Sequence, residues 1–148
     1  MSDARPPTKL AIVEDEKDLV EVYLRLFRMK RLDVCFVAGN GVEAVELYRR
    51  AEARPDIVIM DNRMPLMNGL DAMKAMLALG GPAKFIFLSA DAGARDEAVR
   101  MGAVFLKKPA SLGELLQAIA ALSAPGDDGG SGDGCAAGSS FGRRPAWL

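Results

Sequence analysis

Five short apolar runs recur along the chain, and each is followed by a stretch able to form a helix. The runs are Leu10 to Val13, Val34 to Ala38, Ile57 to Met60, Phe85 to Leu88 and Val104 to Leu106. They are short for helices and rich in β-branched and aromatic residues, so each reads as a buried strand. After the first run, Leu19, Val20, Tyr23, Leu24 and Phe27 follow the i, i+3, i+4 stripe of a core-facing helix. Ala44, Leu47, Tyr48 and Ala51 do the same after the second, and Leu70, Met73, Met76 and Leu77 mark a third. Residues 95 to 101 allow a short fourth helix. The fifth carries its own start signal, because Ser111 and Glu114 form an S-x-x-E capping box ahead of Leu112, Leu115, Leu116, Ile119 and Leu122.

Strand followed by helix, five times over, predicts right-handed crossovers and a parallel sheet covered on both faces. The expected fold is therefore α/β, a flavodoxin-like (βα)5 doubly wound sandwich with a five-stranded sheet in the order 2-1-3-4-5. The 148 residues, 50% of them hydrophobic, suffice for one domain with a proper core. That domain is expected over residues 8 to 122, after a flexible N-terminus at 1 to 7. From 123 onward the composition changes, with seven of the 15 glycines interspersed among Ser and Asp. This stretch, 123 to 148, reads as a flexible tail too polar to form an output domain.

A net charge of -1 leaves no basic footprint for nucleic acid. No run approaches the roughly 18 apolar residues of a membrane span, so neither membrane nor signal peptide is expected. Cys35 and Cys135 form neither a disulfide framework nor a metal spacing, which suits a cytoplasmic protein. Histidine is absent, so the chemistry must run on carboxylates, hydroxyls and lysine.

Those groups gather at the strand ends. The first strand runs into Glu14-Asp15-Glu16, the third into Asp61, the fourth into Ser89 and the fifth into Lys107-Lys108-Pro109. Taken singly, each has an ordinary reading as a helix cap, a turn residue or a solvated charge. Together they fall on the one rim where open α/β sheets bind ligands, which points to a site.

At these positions the chain resembles the receiver domain of two-component response regulators. The resemblance spans about residues 8 to 122. It rests on Ile12-Val13-Glu14-Asp15-Glu16, on Pro55-Asp56 with Met60-Asp61 and Met64-Pro65-Leu66-Met67-Asn68-Gly69, on Leu88-Ser89-Ala90 and on Phe105-Leu106-Lys107-Lys108-Pro109. Gly39-Asn40-Gly41 with Glu43-Ala44 is similar to the family's second strand-to-helix turn.

The resemblance implies that Asp61 accepts a phosphoryl group from a phosphohistidine on a histidine kinase or histidine phosphotransfer protein. Mg²⁺ (or Mn²⁺) would be held by Asp15, Asp61, the backbone carbonyl of Arg63 and, through water, Glu14. Lys108 would meet the phosphoryl group, and Ser89 with Phe105 would switch the surface of the fourth helix, fifth strand and fifth helix toward a downstream protein. Elementary chemistry agrees. Phosphoryl transfer needs positioning and charge neutralisation, and hard carboxylate oxygens suit Mg²⁺.

Some positions depart from the family pattern. Glu14 stands where Asp is commoner, Ala110 where an aromatic often follows Lys-Pro, and the interval from Ser89 to Gly102 is short, which predicts a truncated fourth helix. Arg63 and Asp91, each two residues beyond a site residue, are expected to pair across the crevice and slow hydrolysis. Two other readings compete. A haloacid-dehalogenase-like phosphatase also uses an aspartyl phosphate, but it needs an acid where Arg63 stands. A receiver-like scaffold without phosphorylation would have no use for the set Asp15, Asp61, Ser89 and Lys108.

Overall fold

The computed structural model describes residues 8–123. The expected N-terminal segment and almost all of the expected tail, including Cys135, lie outside the described residues. The chain alternates β1 (Lys9–Val13), α1 (Lys17–Met29), β2 (Asp33–Ala38), α2 (Gly41–Arg50), β3 (Ile57–Asp61), α3 (Gly69–Leu79), β4 (Lys84–Ser89), a single 3₁₀ turn (Ala92–Ala94), α4 (Arg95–Arg100), β5 (Val104–Lys107) and α5 (Leu112–Ser123). The five strands form one parallel sheet in the order β2-β1-β3-β4-β5, as the sequence predicts.

The pleat divides the core in two. Ile57 and Ile59 face one side with Phe27 of α1 and Leu115 and Ile119 of α5. Val58 and Met60 face the other with Tyr48, Met73, Met76 and Ala98 of α2, α3 and α4. Every residue of β3 is buried, so the sheet's centre matches the two-sided apolar reading. The edges do not. β2 alternates exposed and half-buried positions from Asp33 to Phe36 before ending in buried Ala38, and β5 is only half covered, because an edge strand has a neighbour on one side only. Leu77 also departs from expectation, since it lies on the outer side of α3 and is exposed.

Helix ends are fixed locally. The Ser111 and Glu114 box closes in both directions, with Glu114 N donating to Ser111 Oγ at 3.0 Å and Ser111 N to Glu114 Oε1 at 2.9 Å. A second box caps α2: Glu43 N donates to Asn40 Oδ1 at 2.8 Å and Gly39 N to Glu43 Oε1 at 2.9 Å. Asn68 caps α3 by accepting from Asp71 N at 2.9 Å. α4 has six residues, in line with the short Ser89 to Gly102 interval.

At the far end of the sheet from Asp61, Arg54 joins α2 to α3. Its guanidinium donates to the carbonyls of Tyr48 (3.1 Å), Leu79 (3.0 Å) and Gly80 (3.2 Å). It also lies 4.9 Å from the Tyr48 ring centroid, while Tyr48 Oη donates to Gly80 O at 2.7 Å. Arg54 thus satisfies carbonyls that two helix C-termini leave without intrahelical partners.

Candidate functional site

The register brings the charged strand ends together. Val13 pairs with Met60 across β1 and β3, and Asp61 with Leu88 across β3 and β4, so Glu14, Asp61 and Ser89 emerge along one rim. Lys107 pairs with Ser89, and Lys108 N donates to Ser89 O at 3.0 Å, which carries the lysine to the same place. The Lys108–Pro109 peptide is cis.

Lys108 Nζ lies 3.0 Å from Asp61 Oδ1 and 3.6 Å from Glu14 Oε1. Asp61 is 6% exposed and Glu14 4%, whereas Asp15 opens to solvent. One carboxylate oxygen from each of Glu14, Asp15 and Asp61 lies within 4.8 Å of the others. Burial raises the Asp61 carboxyl above the usual carboxylate range, while the bond and charge of Lys108 pull it down. Glu14 is pushed up to about 7, first by burial and then by the Asp61 charge, against the pull of Lys108. Burial alone would depress the lysine, but the bond to Asp61 and the charges of Asp61 and Glu14 win and raise it. Tyr23, buried on α1 and stacked on Phe27, is pushed up to about 12 by burial and then by Glu14. Three carboxylates share one ammonium, so the pocket carries excess negative charge. A hard divalent cation fits that donor set in both ligand type and charge.

Ser89 is buried at the end of β4, and its Oγ accepts from Asp91 N at 3.0 Å. Phe105 is half-buried on β5 and packs against the core cluster that holds Phe87 and Ala98. The expected bridge between Arg63 and Asp91 is not formed: among the described residues no ion pair joins them. Asp91 Oδ1 instead accepts from Gly93 N at 2.9 Å and caps the 3₁₀ turn, and Arg63 is exposed.

Two supporting features escape sequence reading. Asn62 is buried, its carbonyl accepting from Gly69 N at 3.0 Å and its Oδ1 from Leu70 N at 3.1 Å, so it ties the loop after Asp61 to the start of α3. A Cβ at Gly69 would lie 2.7 Å from Asp61 O, so glycine lets α3 start against the acceptor's backbone. The Asn-to-Gly spacing was visible, but only the folded loop shows what it holds.

Fold and crevice define a doubly wound α/β domain with an acidic, lysine-bearing site beyond the carboxyl ends of its strands. The chain belongs to the response regulator receiver domain family, which matches residues 10–120 and comprises phospho-accepting domains of two-component signalling. It is 35% identical over 114 residues to the chemotaxis protein CheY of Listeria monocytogenes, covering 75% of this chain and 94% of that one. It is 34% identical over 119 residues to CheY of Thermotoga maritima, covering 78% and 98%. Among solved structures, the CheX–CheY–BeF3–Mg complex of Borrelia burgdorferi matches with a TM-score of 0.76 and 25% identity over 84% of this chain and 96% of that one. The receiver domain of the sensor histidine kinase PA1611 from Pseudomonas aeruginosa, solved with magnesium in its active site cleft, matches with a TM-score of 0.65 and 28% identity, covering 76% and 93%. This is thus a receiver domain of the CheY-like response regulators. Among the described residues, no helix is long and apolar enough to cross a membrane.

Proposed function

We propose that the chain is a cytoplasmic response regulator of the stand-alone type, in which Asp61 takes a phosphoryl group from a phosphohistidine on a histidine kinase or histidine phosphotransfer protein. The observation that carries this reading is Lys108 Nζ at 3.0 Å from an oxygen of buried Asp61, with the carboxylates of Glu14 and Asp15 alongside. CheY relatives matched over nearly their whole length support the stand-alone type.

In the transfer, an Asp61 carboxylate oxygen forms a bond to phosphorus as the bond from phosphorus to the donor imidazole nitrogen breaks, and the imidazole leaves with that electron pair. Lys108 places its ammonium against the phosphoryl oxygens, and Ser89 donates its hydroxyl to one of them. Glu14, Asp15, Asp61 and the Arg63 carbonyl would hold Mg²⁺ or Mn²⁺, which when bound neutralises charge on the phosphoryl group. The relative solved with BeF3 and Mg, and the one solved with magnesium, support that assignment.

Modification of Asp61 then biases a two-state element, with Ser89 drawn inward and Phe105 repacking, so that α4, β5 and α5 present a changed face to a downstream protein or the phosphoryl group passes onward. With Asp91 capping the 3₁₀ turn, the proposed limit on hydrolytic water falls to Arg63, exposed two residues after Asp61. An unchanged dephosphorylation rate in Arg63→Ala would remove it from that role.

Incubation with acetyl phosphate and Mg²⁺, followed by intact mass measurement, tests the reading. Wild type is expected to gain one labile phosphoryl group and Asp61→Asn none. A wild type that stays unlabelled with metal bound would refute it.

A further inference from the structure

The first helical residues of α3, Gly69, Leu70 and Asp71, carry N–H groups that have no partner within the helix, whose own ladder starts with Ala72 N on Asn68 O. Asp71 N is met by the cap Asn68 at 2.9 Å. The other two reach back across the loop to a single residue: Gly69 N donates to the Asn62 carbonyl at 3.0 Å and Leu70 N to Asn62 Oδ1 at 3.1 Å. Asn62 follows Asp61 directly and is 7% exposed. It is therefore held twice, by main chain and by side chain, against the start of α3.

The loop between β3 and α3 shows how firmly its ends are held. Leu66 has φ +71°, in the left-handed region where a leucine Cβ crowds the following carbonyl, at a cost of about 1 to 2 kcal/mol. Met67 N donates to Pro65 O at 2.7 Å, which makes Leu66 the centre of a γ-turn, the rare and strained kind when the central φ is positive. The Leu66 side chain is 80% exposed, so its own packing does not offset that strain. Strain of this kind persists only where the surroundings over-determine the backbone. Asn62 fixes one end of the loop. Met67 fixes the other against the start of α2, where a Cβ at Gly41 would come within 2.5 Å of the Met67 carbonyl.

We propose that Asn62 is a positioning residue for the metal, acting through the backbone carbonyl of Arg63. The inference rests on the metal assignment within the proposed function and adds what holds its one loop ligand in place. Asp61 is set by the pairing of β3 with β4, and Glu14 N is bonded to Ala38 O at 2.9 Å at the end of β1. Arg63 lies beyond the last residue of its strand and is exposed, so neither the sheet nor the core fixes it. Asn62 does. The Asn62–Arg63 peptide is trans and planar, so anchoring its carbonyl on Gly69 N fixes the whole peptide unit and the direction in which Arg63 leaves it. The bond from Leu70 N to the side chain stops that unit from turning about its neighbours. An amide does this without adding a further carboxylate next in sequence to Asp61, where like charge would oppose ionisation of the ligands.

Outer partners that orient a metal ligand are worth about 10- to 100-fold in affinity, whereas a helix cap contributes stability alone. The two caps of α3 separate these roles. Mn²⁺ is titrated into the full chain, with no phosphoryl donor, and the electron paramagnetic resonance signal of free Mn²⁺ reads the affinity. Asn62→Ala is expected to bind about 10- to 100-fold more weakly than wild type. Asn68→Ala, which removes a cap from the same helix, is expected to stay within about twofold of wild type although urea unfolds both variants earlier. Asn62→Asp keeps an acceptor for Leu70 N and is expected to bind at least as tightly as wild type. An unchanged affinity in Asn62→Ala would overturn the proposal. So would an equal loss in Asn68→Ala, which would assign the effect to the helix as a whole. If far-UV circular dichroism shows that Asn62→Ala does not fold, Asn62→Asp decides, and a tenfold loss there would overturn the proposal. Acetyl phosphate labelling of wild type is read alongside. A wild type that binds Mn²⁺ yet takes no label refutes the acceptor reading and leaves the role of Asn62 standing, whereas a wild type that binds no Mn²⁺ overturns that role.

Discussion

Glu14 offers the sharpest test of the crevice electrostatics. In the folded protein its carboxyl is pushed from the ordinary 4.5 up to about 7, by burial first and by the Asp61 charge second. A carboxyl raised on folding binds its proton more tightly in the native state, so stability falls as pH rises from the unfolded value through the folded one. At 1.36 kcal/mol per pH unit, the full interval corresponds to about 3 kcal/mol. Between pH 5 and pH 8, wild type is expected to lose about 2 to 3 kcal/mol through this group, the part below pH 5 having already gone. Glu14→Gln has nearly the same shape and no charge to lose. Urea unfolding of both proteins in EDTA at each pH isolates the effect, because most other titrating groups cancel in the comparison. The variant is expected to gain 2 to 3 kcal/mol on wild type between pH 5 and pH 8. A gain under about 0.5 kcal/mol, the usual scatter of additive sites, would show that Glu14 is solvated and that the crevice is not the desolvated acidic pocket described above.

Lys108→Met removes the cation 3.0 Å from Asp61, and labelling by acetyl phosphate is expected to slow by roughly 10²- to 10³-fold, as when one preorganised charge-stabilising donor is lost. Far-UV circular dichroism should show the fold retained. Gly69→Ala forces a Cβ to 2.7 Å from the Asp61 carbonyl, and urea unfolding should show a loss of about 1 to 3 kcal/mol together with slower labelling. Arg54→Ala takes the guanidinium away from the Leu79 carbonyl and the Tyr48 ring at the opposite end of the domain, while Gly80 O keeps the Tyr48 hydroxyl, so a stability loss of about 1 to 3 kcal/mol is expected with the labelling rate unchanged. A changed rate would mean that the α2–α3 clasp reaches the crevice.

Much of the molecule was legible because the relevant signals are local. An apolar run bounded by polar residues specifies a strand wherever it sits, and the Ser111 and Glu114 box forms as its four-residue spacing requires. The parallel order follows from alternation, since a strand, a helix and a strand leave few connections of the right hand. The strand ends were readable as a site for the same reason: once the order is known, Glu14, Asp61, Ser89 and Lys108 fall on one rim.

Quantities that depend on several segments at once were not readable. The exposure of β2 and β5 comes from their place at the sheet's edges, which is a property of the assembled sheet. Asp91 was free to reach Arg63 on paper, but a nearer backbone donor, Gly93 N, takes its carboxylate. The separation of buried Glu14 from open Asp15, neighbours in sequence, depends on which way each side chain leaves the end of β1. The left-handed turn at Leu66 follows from loop ends fixed by Asn62 and by α2, elements that come together only in the fold. The sequence by itself determined the layers, the strand order and the chemical kinds at the rim, because periodicity and residue type act over a few neighbours. Only the tertiary structure decided how deeply each carboxylate is buried, which one the lysine meets and where an apolar side chain is held in water, because burial and distance are set by all the packed elements together.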